Sequence, residues 1–310
     1  MEPIALKFDV ASALPREVTG GRPLHIAMWL FLPPALPEAR RTVVTLLNGG
    51  SYDKRYFHVH VPGREGYSMA EYLASRGHIV MLPDHLGISD SERAVEQIRV
   101  TRQIAAAANH EAMRQAYAKL EAGTLHPSLP PIGDYLKIGG GHSMGGMQTI
   151  TQQAEHATYD RVLVLGYTAI GVHLSWNGQM VSADQPYSAE KGDYWLLDHA
   201  AIAESFHWDD VPRDVLAVDE QLAVHVPQML SWQSTTMGIV SDDAGRITVP
   251  VYICLGERDV SPDPHAEPAY YKGSKDVTLH ILPRSGHCQS FAGTRTEMYD
   301  RIHRWIGSIA

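Results

Sequence analysis

Cysteine is scarce in this chain of 310 residues, where Cys254 and Cys288 are the two that occur. Neither sits in a metal-ligand spacing, and two thiols do not make a disulfide framework. Positive charge is also in deficit. The formal net charge is −9, which argues against a nucleic-acid partner, because such a partner calls for a basic patch. No uninterrupted apolar run approaches the roughly 20 residues that span a bilayer, and the opening Met1 to Lys7 lacks the basic start and apolar stretch of a secretory leader. A cytoplasmic protein with no membrane partner is the expectation. Low-complexity tracts and internal repeats are missing as well. Apolar residues make up 44% and charged residues 20%, so there is ample material for a core. The length suits one α/β core carrying an insertion.

Short apolar runs alternate with helical patterns along most of the chain. Two extended stretches, 4–10 and 24–32, flank a Pro/Gly-rich turn and read as an opening hairpin. Val43 to Leu47 reads as a buried strand running into Asn48-Gly49-Gly50. Ser68 and Glu71 offer a capping box for a short helix that stops at Gly77. Further strands are expected at 79–82, 135–138, 162–165, 251–255 and 277–282. Helices are expected at 101–121 and 144–154, and a closing helix carries Met298, Ile302, Trp305 and Ile306 at a 3.6 period. Such alternation predicts a mainly parallel sheet covered by helices on both faces. It lapses between Gly171 and Arg246, where four of the six tryptophans and twelve acidic against three basic residues fall. Polar, Pro-broken helical pieces are expected there, so 171–246 reads as an inserted cap and 1–170 with 247–310 as the core.

Gly141-His142-Ser143-Met144-Gly145 fits G-x-S-x-G between a strand and a helix, a turn so tight that the positions two before and two after the serine must be small. A serine hydroxyl needs a base to become a nucleophile. Of 17 histidines, His287 follows the last strand on the glycine-loosened loop Ser285-Gly286-His287, at the sheet edge where sites of open α/β sheets gather. His280 lies within a strand and His142 flanks the serine as a structural residue. Asp259, just past the strand ending at Leu255, supplies an acid in the chain order Ser, Asp, His; Asp263 and Glu257 compete with it. An oxyanion needs amide donors, here Met144 and, from the Asn48-Gly49-Gly50 loop, Gly50 or Ser51.

With Asn48-Gly49-Gly50, the segment Asp84 to Ser89, the elbow Gly141 to Gly145, Gly256 to Asp259 and Gly286-His287 in view, the chain resembles the α/β-hydrolase superfamily over nearly its whole length. Relatives usually carry His-Gly in the oxyanion loop, where this chain has Asn48. The resemblance implies acyl transfer to water, with no cofactor. Hydrolysis of a carboxylic ester or lactone of a small to medium, partly apolar, neutral molecule is the leading expectation. Carbon–carbon bond hydrolysis or a lyase reaction on the same triad is the alternative, and a non-catalytic binding module comes third.

The insertion brings Trp, Tyr, Phe and Met residues suited to an apolar pocket roof. Its acidity disfavours anionic substrates. Ser51 and Tyr52 on the glycine loop, with His173 and Trp176 where the insertion begins, are the expected substrate-binding positions. His58 and His60 alternate along an extended segment, but no third metal ligand lies at a recognisable spacing. Cys288 adjoins His287, so a bulky thiol reagent there is expected to crowd the base.

Overall fold

The computed structural model describes residues 1–37, 41–188 and 192–308. Strands β1 (Ile4–Asp9) and β2 (His25–Phe31) form the opening antiparallel pair. Their connection holds a short helix, α1 (Arg16–Thr19), which Gly20 closes at φ 62°, so the glycine signal marks a helix end as well as a turn. β3 (Arg41–Leu47), α2 (Met69–Ala74), β4 (Ile79–Pro83) and α3 (Arg102–Glu121) follow. At α2 half of the expected capping box forms. The Ser68 hydroxyl accepts the Glu71 amide at 3.0 Å, but the Glu71 carboxylate turns to the Met1 ammonium, a charged donor that outcompetes a neutral amide.

β5 (Tyr135–His142), α4 (Met144–His156) and β6 (Arg161–Leu165) come next. β5 runs past Ile138 through three glycines, which carry little strand propensity but stay in register between Thr45, Leu46 and Leu47 on one side and Val162, Leu163 and Val164 on the other. Between β6 and the next strand of this sheet lie β7 (His173–Trp176), β8 (Gln179–Ser182), β9 (Tyr194–Trp195), α5 (His199–Phe206), α6 (Arg213–Leu222), β10 (Val226–Pro227), α7 (Gln228–Thr235) and α8 (Ser241–Arg246). The expectation of helical pieces alone needs correction. β7 and β8 pair as a hairpin over Asn177-Gly178, both at positive φ, and Asn-Gly is the dipeptide that such two-residue turns select. The chain closes with β11 (Val251–Gly256), β12 (Val277–Leu282) and α9 (Arg295–Ser308).

Eight strands form one sheet in the order β1-β2-β4-β3-β5-β6-β11-β12. β1, β2 and β4 pair antiparallel, and every pair from β4 to β12 is parallel. This is an α/β-hydrolase sheet. Its parallel strands read as unbroken apolar runs because both faces are covered; β4, β6 and β11 are buried at every position. The helices pack in two groups, α3 with α4 and α8, and α2 with α9. After β3 the chain moves to β4 on one side and then to β5 on the other, so the carboxyl ends of β3 and β5 flank the point where strand order reverses. Open α/β sheets leave a crevice there.

Candidate active site

The loops at that crevice carry the residues singled out by sequence. Ser143 joins β5 to α4 at φ 54° and ψ −120°, a sparsely populated conformation that costs on the order of 1–3 kcal/mol and persists only where the surroundings enforce it. The enforcement is visible. A Cβ on Gly141 would stand 2.2 Å from the Gly145 carbonyl oxygen, and one on Gly145 would stand 2.0 Å from that of Leu47. Backbone thus meets backbone at both ends of the turn, and the Ser143 amide is tied to the Leu165 carbonyl at 2.9 Å.

His287 follows β12 and Asp259 follows β11, and these two strands are neighbours. His287 Nδ1 lies 2.7 Å from Asp259 Oδ1, with both side chains almost wholly buried. The other contacts of the carboxylate are the amides of Val260 at 2.7 Å and Gly256 at 2.8 Å, and Gln289 Nε2 at 3.1 Å. Burial pushes the Asp259 carboxyl up, but His287 beside it and the two amides outweigh burial and leave it below its ordinary value. The competing acids point elsewhere: Asp263 accepts the Ala266 amide and Glu257 the Arg284 amide.

Ser143 and His287 open onto one cavity of about 450 Å³, together with Gly50 and Ser51. Gly50 faces Met144, the residue after Ser143, since a Cβ on Gly50 would first meet the Met144 Cβ, at 3.9 Å. Asn48 shapes this loop in a way sequence did not show: its side-chain amide donates to the Tyr52 carbonyl at 2.5 Å and curls the chain back on itself. The rest of the cavity wall is largely apolar, with Trp176, Trp195, Trp232, Leu174 and Phe206 prominent. No Asp, Glu, Lys or Arg lines it among the described residues.

Two of the expected substrate-binding positions are not on that wall. In β7 Leu174 and Trp176 line the cavity, and strand alternation turns His173 and Ser175 to the other side. Tyr52 is buried beneath the loop, its hydroxyl donating to Asp219 Oδ1 at 2.7 Å. Ser51 and Trp176 do line the cavity.

His142, beside the serine, is buried against Tyr56, ring centroids 4.4 Å apart at 18°, and its Nε2 donates to the His287 carbonyl at 2.8 Å. Burial and the adjacent His287 lower its pKa to about 3, which keeps it neutral and makes it a prop for the histidine loop. Cys288 corrects an expectation. It is 1% exposed and burial pushes its thiol well up, so a reagent reaches it only after the loop opens. His58 bonds Ser68 through Nδ1 at 2.8 Å, and no group of three metal-ligating side chains gathers among the described residues. Sequence reasoning missed Gln289 at this site, a residue unremarkable in its local pattern, whereas Trp195 and Phe206 are among the aromatic residues of the insertion expected to roof the pocket.

A serine on a strained elbow, an imidazole backed by a buried carboxylate and loop amides without a backbone partner among the described hydrogen bonds are the parts a hydrolase of this fold requires. A model of the alpha/beta hydrolase family matches residues 14–297, and the chain belongs to that family. An esterase from Exiguobacterium antarcticum superposes with a TM-score of 0.64 at 15% identity, covering 94% of this chain and 98% of its own. A thermophilic esterase from Thermogutta terrifontis gives 0.63 at 13% identity, covering 99% and 98%. E-2-(acetamidomethylene)succinate hydrolase gives 0.62 at 13% identity, covering 99% and 100%. At these identities the likeness is one of fold. No curated protein matches the sequence. Among the described residues no helix is long and apolar enough to cross a membrane.

Proposed function

We propose that this hydrolase cleaves a carboxylic ester or lactone of a neutral, partly apolar small molecule through an acyl-enzyme on Ser143. The observation that carries the reading is the Asp259–His287 pair at 2.7 Å on the cavity that Ser143 opens into. His287 takes the Ser143 proton as the hydroxyl oxygen attacks the carbonyl carbon, then gives it to the leaving alcohol, and afterwards activates water against the acyl group. Asp259 stays charged and holds the imidazolium. The Met144 amide and that of Gly50 or Ser51 receive the oxyanion; neither Gly50 nor Ser51 spends its amide on a backbone partner among the described hydrogen bonds.

The uncharged, tryptophan-bearing wall supports a neutral substrate, since an ion would lose its hydration there without a partner. The segment 171–246 acts as the cap over a core of 1–170 and 247–310, and the protein works in the cytoplasm on small molecules without nucleic acid or membrane.

The test is mass-spectrometric mapping of fluorophosphonate labelling, with hydrolysis of p-nitrophenyl acetate and butyrate by Ser143→Ala. Label on Ser143 and loss of turnover by roughly 10⁴-fold or more are expected. An unchanged rate in a folded variant sinks the proposal, and turnover of a vinylogous diketone with inertness toward esters moves it to carbon–carbon cleavage.

A further inference from the structure

The stretch from α5 to the residues after α6 is bound to both loops of the site. At the end of α5, the carbonyls of Ser205 and Phe206 accept the amides of His287 and Cys288, each at 2.8 Å. At its start, His199 Nε2 lies 3.1 Å from the Ser51 hydroxyl. Beyond α6, the Val224 amide donates to the Ser51 carbonyl at 2.8 Å. Asp219, within α6, accepts the Tyr52 hydroxyl at 2.7 Å and His207 Nε2 at 2.8 Å, and its Oδ2 stands 3.5 Å from His199 Nδ1. The Phe206 ring sits against both His199 and His287, with centroids 5.4 and 5.1 Å away.

Ser51 is where these contacts converge, and its backbone needs them. It holds φ at 58° with a Cβ in place, a conformation that costs an ordinary residue about 1–2 kcal/mol. Its hydroxyl donates to the Gly50 carbonyl at 2.8 Å, so His199 Nε2 is the donor to Ser51 Oγ. The Gly50 carbonyl and the Ser51 amide belong to one peptide plane. Whatever fixes the hydroxyl therefore fixes where that amide points. Asp219 anchors the array: burial pushes its carboxyl up, but the neighbouring imidazoles of His199 and His207, the latter hydrogen-bonded to it, hold it far below the carboxylate range and keep it charged.

We propose that His199 and Asp219 are positioning residues of the hydrolytic reaction, holding the oxyanion loop through Ser51, and that residues 199–224 form a strap setting that loop against the histidine loop. The reading rests on Ser143 as nucleophile and gives the inserted segment a part in catalysis beyond roofing the cavity.

The experiment follows fluorophosphonate labelling of the full chain, separating the inactivation rate constant from the reversible binding constant, with thermal unfolding alongside. His199→Ala should slow the rate constant about ten- to hundredfold with reversible binding nearly unchanged, the signature of misaligned oxyanion donors. His199→Gln, whose amide stands where Nε2 does, should recover most of that loss. A rate constant for His199→Ala within about twofold of the native value would overturn the proposal. Should His199→Ala fail to fold, Ser51→Ala removes the same hydrogen bond from the other side and is judged by the same criterion. Label persisting at full rate in Ser143→Ala defeats the nucleophile reading instead, so the two failures are distinct.

Discussion

Two serines face one cavity at positive φ, Ser143 at 54° and Ser51 at 58°, and their supports differ. Ser143 depends on its own pentapeptide, where Gly141 and Gly145 are small enough to let the backbones of Gly145 and Leu47 pack against them. Ser51 is held from a distance, by His199 at 148 positions along the chain, by the Val224 amide, and through Tyr52 by Asp219. A strain supported locally leaves a pattern in the sequence, because small residues must recur at fixed offsets. A strain supported by tertiary contacts leaves none, because any polar residue brought near will serve.

The largest effect is expected from breaking the local support. Gly145→Ala puts a methyl group 2.0 Å from the Leu47 carbonyl oxygen, and no flexible side chain is there to yield. The variant should lose about 3 kcal/mol of stability in urea unfolding, at the upper end for an overpacked site, and should lose fluorophosphonate labelling of Ser143 with it. An unchanged midpoint with native labelling would mean that the elbow does not depend on its glycines.

The distant support is probed by comparing Ser51→Gly with Ser51→Ala. Glycine relieves the left-handed φ, and alanine keeps it, so the glycine variant should be the more stable by about 1 kcal/mol in urea unfolding. Both lack the hydroxyl that His199 holds, so both should label Ser143 slowly. Native labelling by Ser51→Gly would show that backbone strain alone governs this loop and that the contact with His199 is idle.

The same distinction governs what could be read beforehand. The parallel strands were legible because burial on both faces makes them short apolar runs, and the elbow because its geometry admits few residues. Asp259 could be placed from strand adjacency, as β11 and β12 put it 2.7 Å from His287 while Asp263 and Glu257 turn to nearby amides. Asp219 could not. In a segment with twelve acidic residues, nothing in spacing separates it from Asp209, Asp210 or Asp214, and only the packing of α6 brings it under Tyr52. His173 lies off the cavity wall because which strand residue meets the cavity depends on the face of the hairpin over Asn177-Gly178, and that hairpin is not distinct among the helical signals of the segment. β5 extends beyond the expected strand because glycine carries little strand propensity, and here the glycines instead make room for the Tyr159 ring, the Leu163 side chain and the Gly145 backbone.

Acid should separate the two supports by the pH at which each is lost. His142, beside Ser143, has its pKa lowered from the ordinary histidine value of 6.5 to about 3 by burial and by His287. The unfolded chain thus takes up a proton there before the folded one does, and the native state loses stability as pH falls from about 6.5 toward 3, by at most about 1.4 kcal/mol per pH unit. Asp219, beneath Tyr52, bonded to His207 and facing His199, has its carboxyl held below the ordinary range. Its contribution is therefore present above about pH 4 and is lost only as pH falls through the folded-state value. Urea unfolding of the native chain, His142→Gln and Asp219→Asn across pH 7 to 3 resolves the two. The gap between native and His142→Gln should shift steadily between pH 6.5 and 3, while the gap between native and Asp219→Asn should begin to close only below about pH 4. Parallel curves for His142→Gln and the native chain would mean that the imidazole beneath the elbow accepts its proton as readily folded as unfolded, and that the prop on the His287 carbonyl does not require a neutral ring.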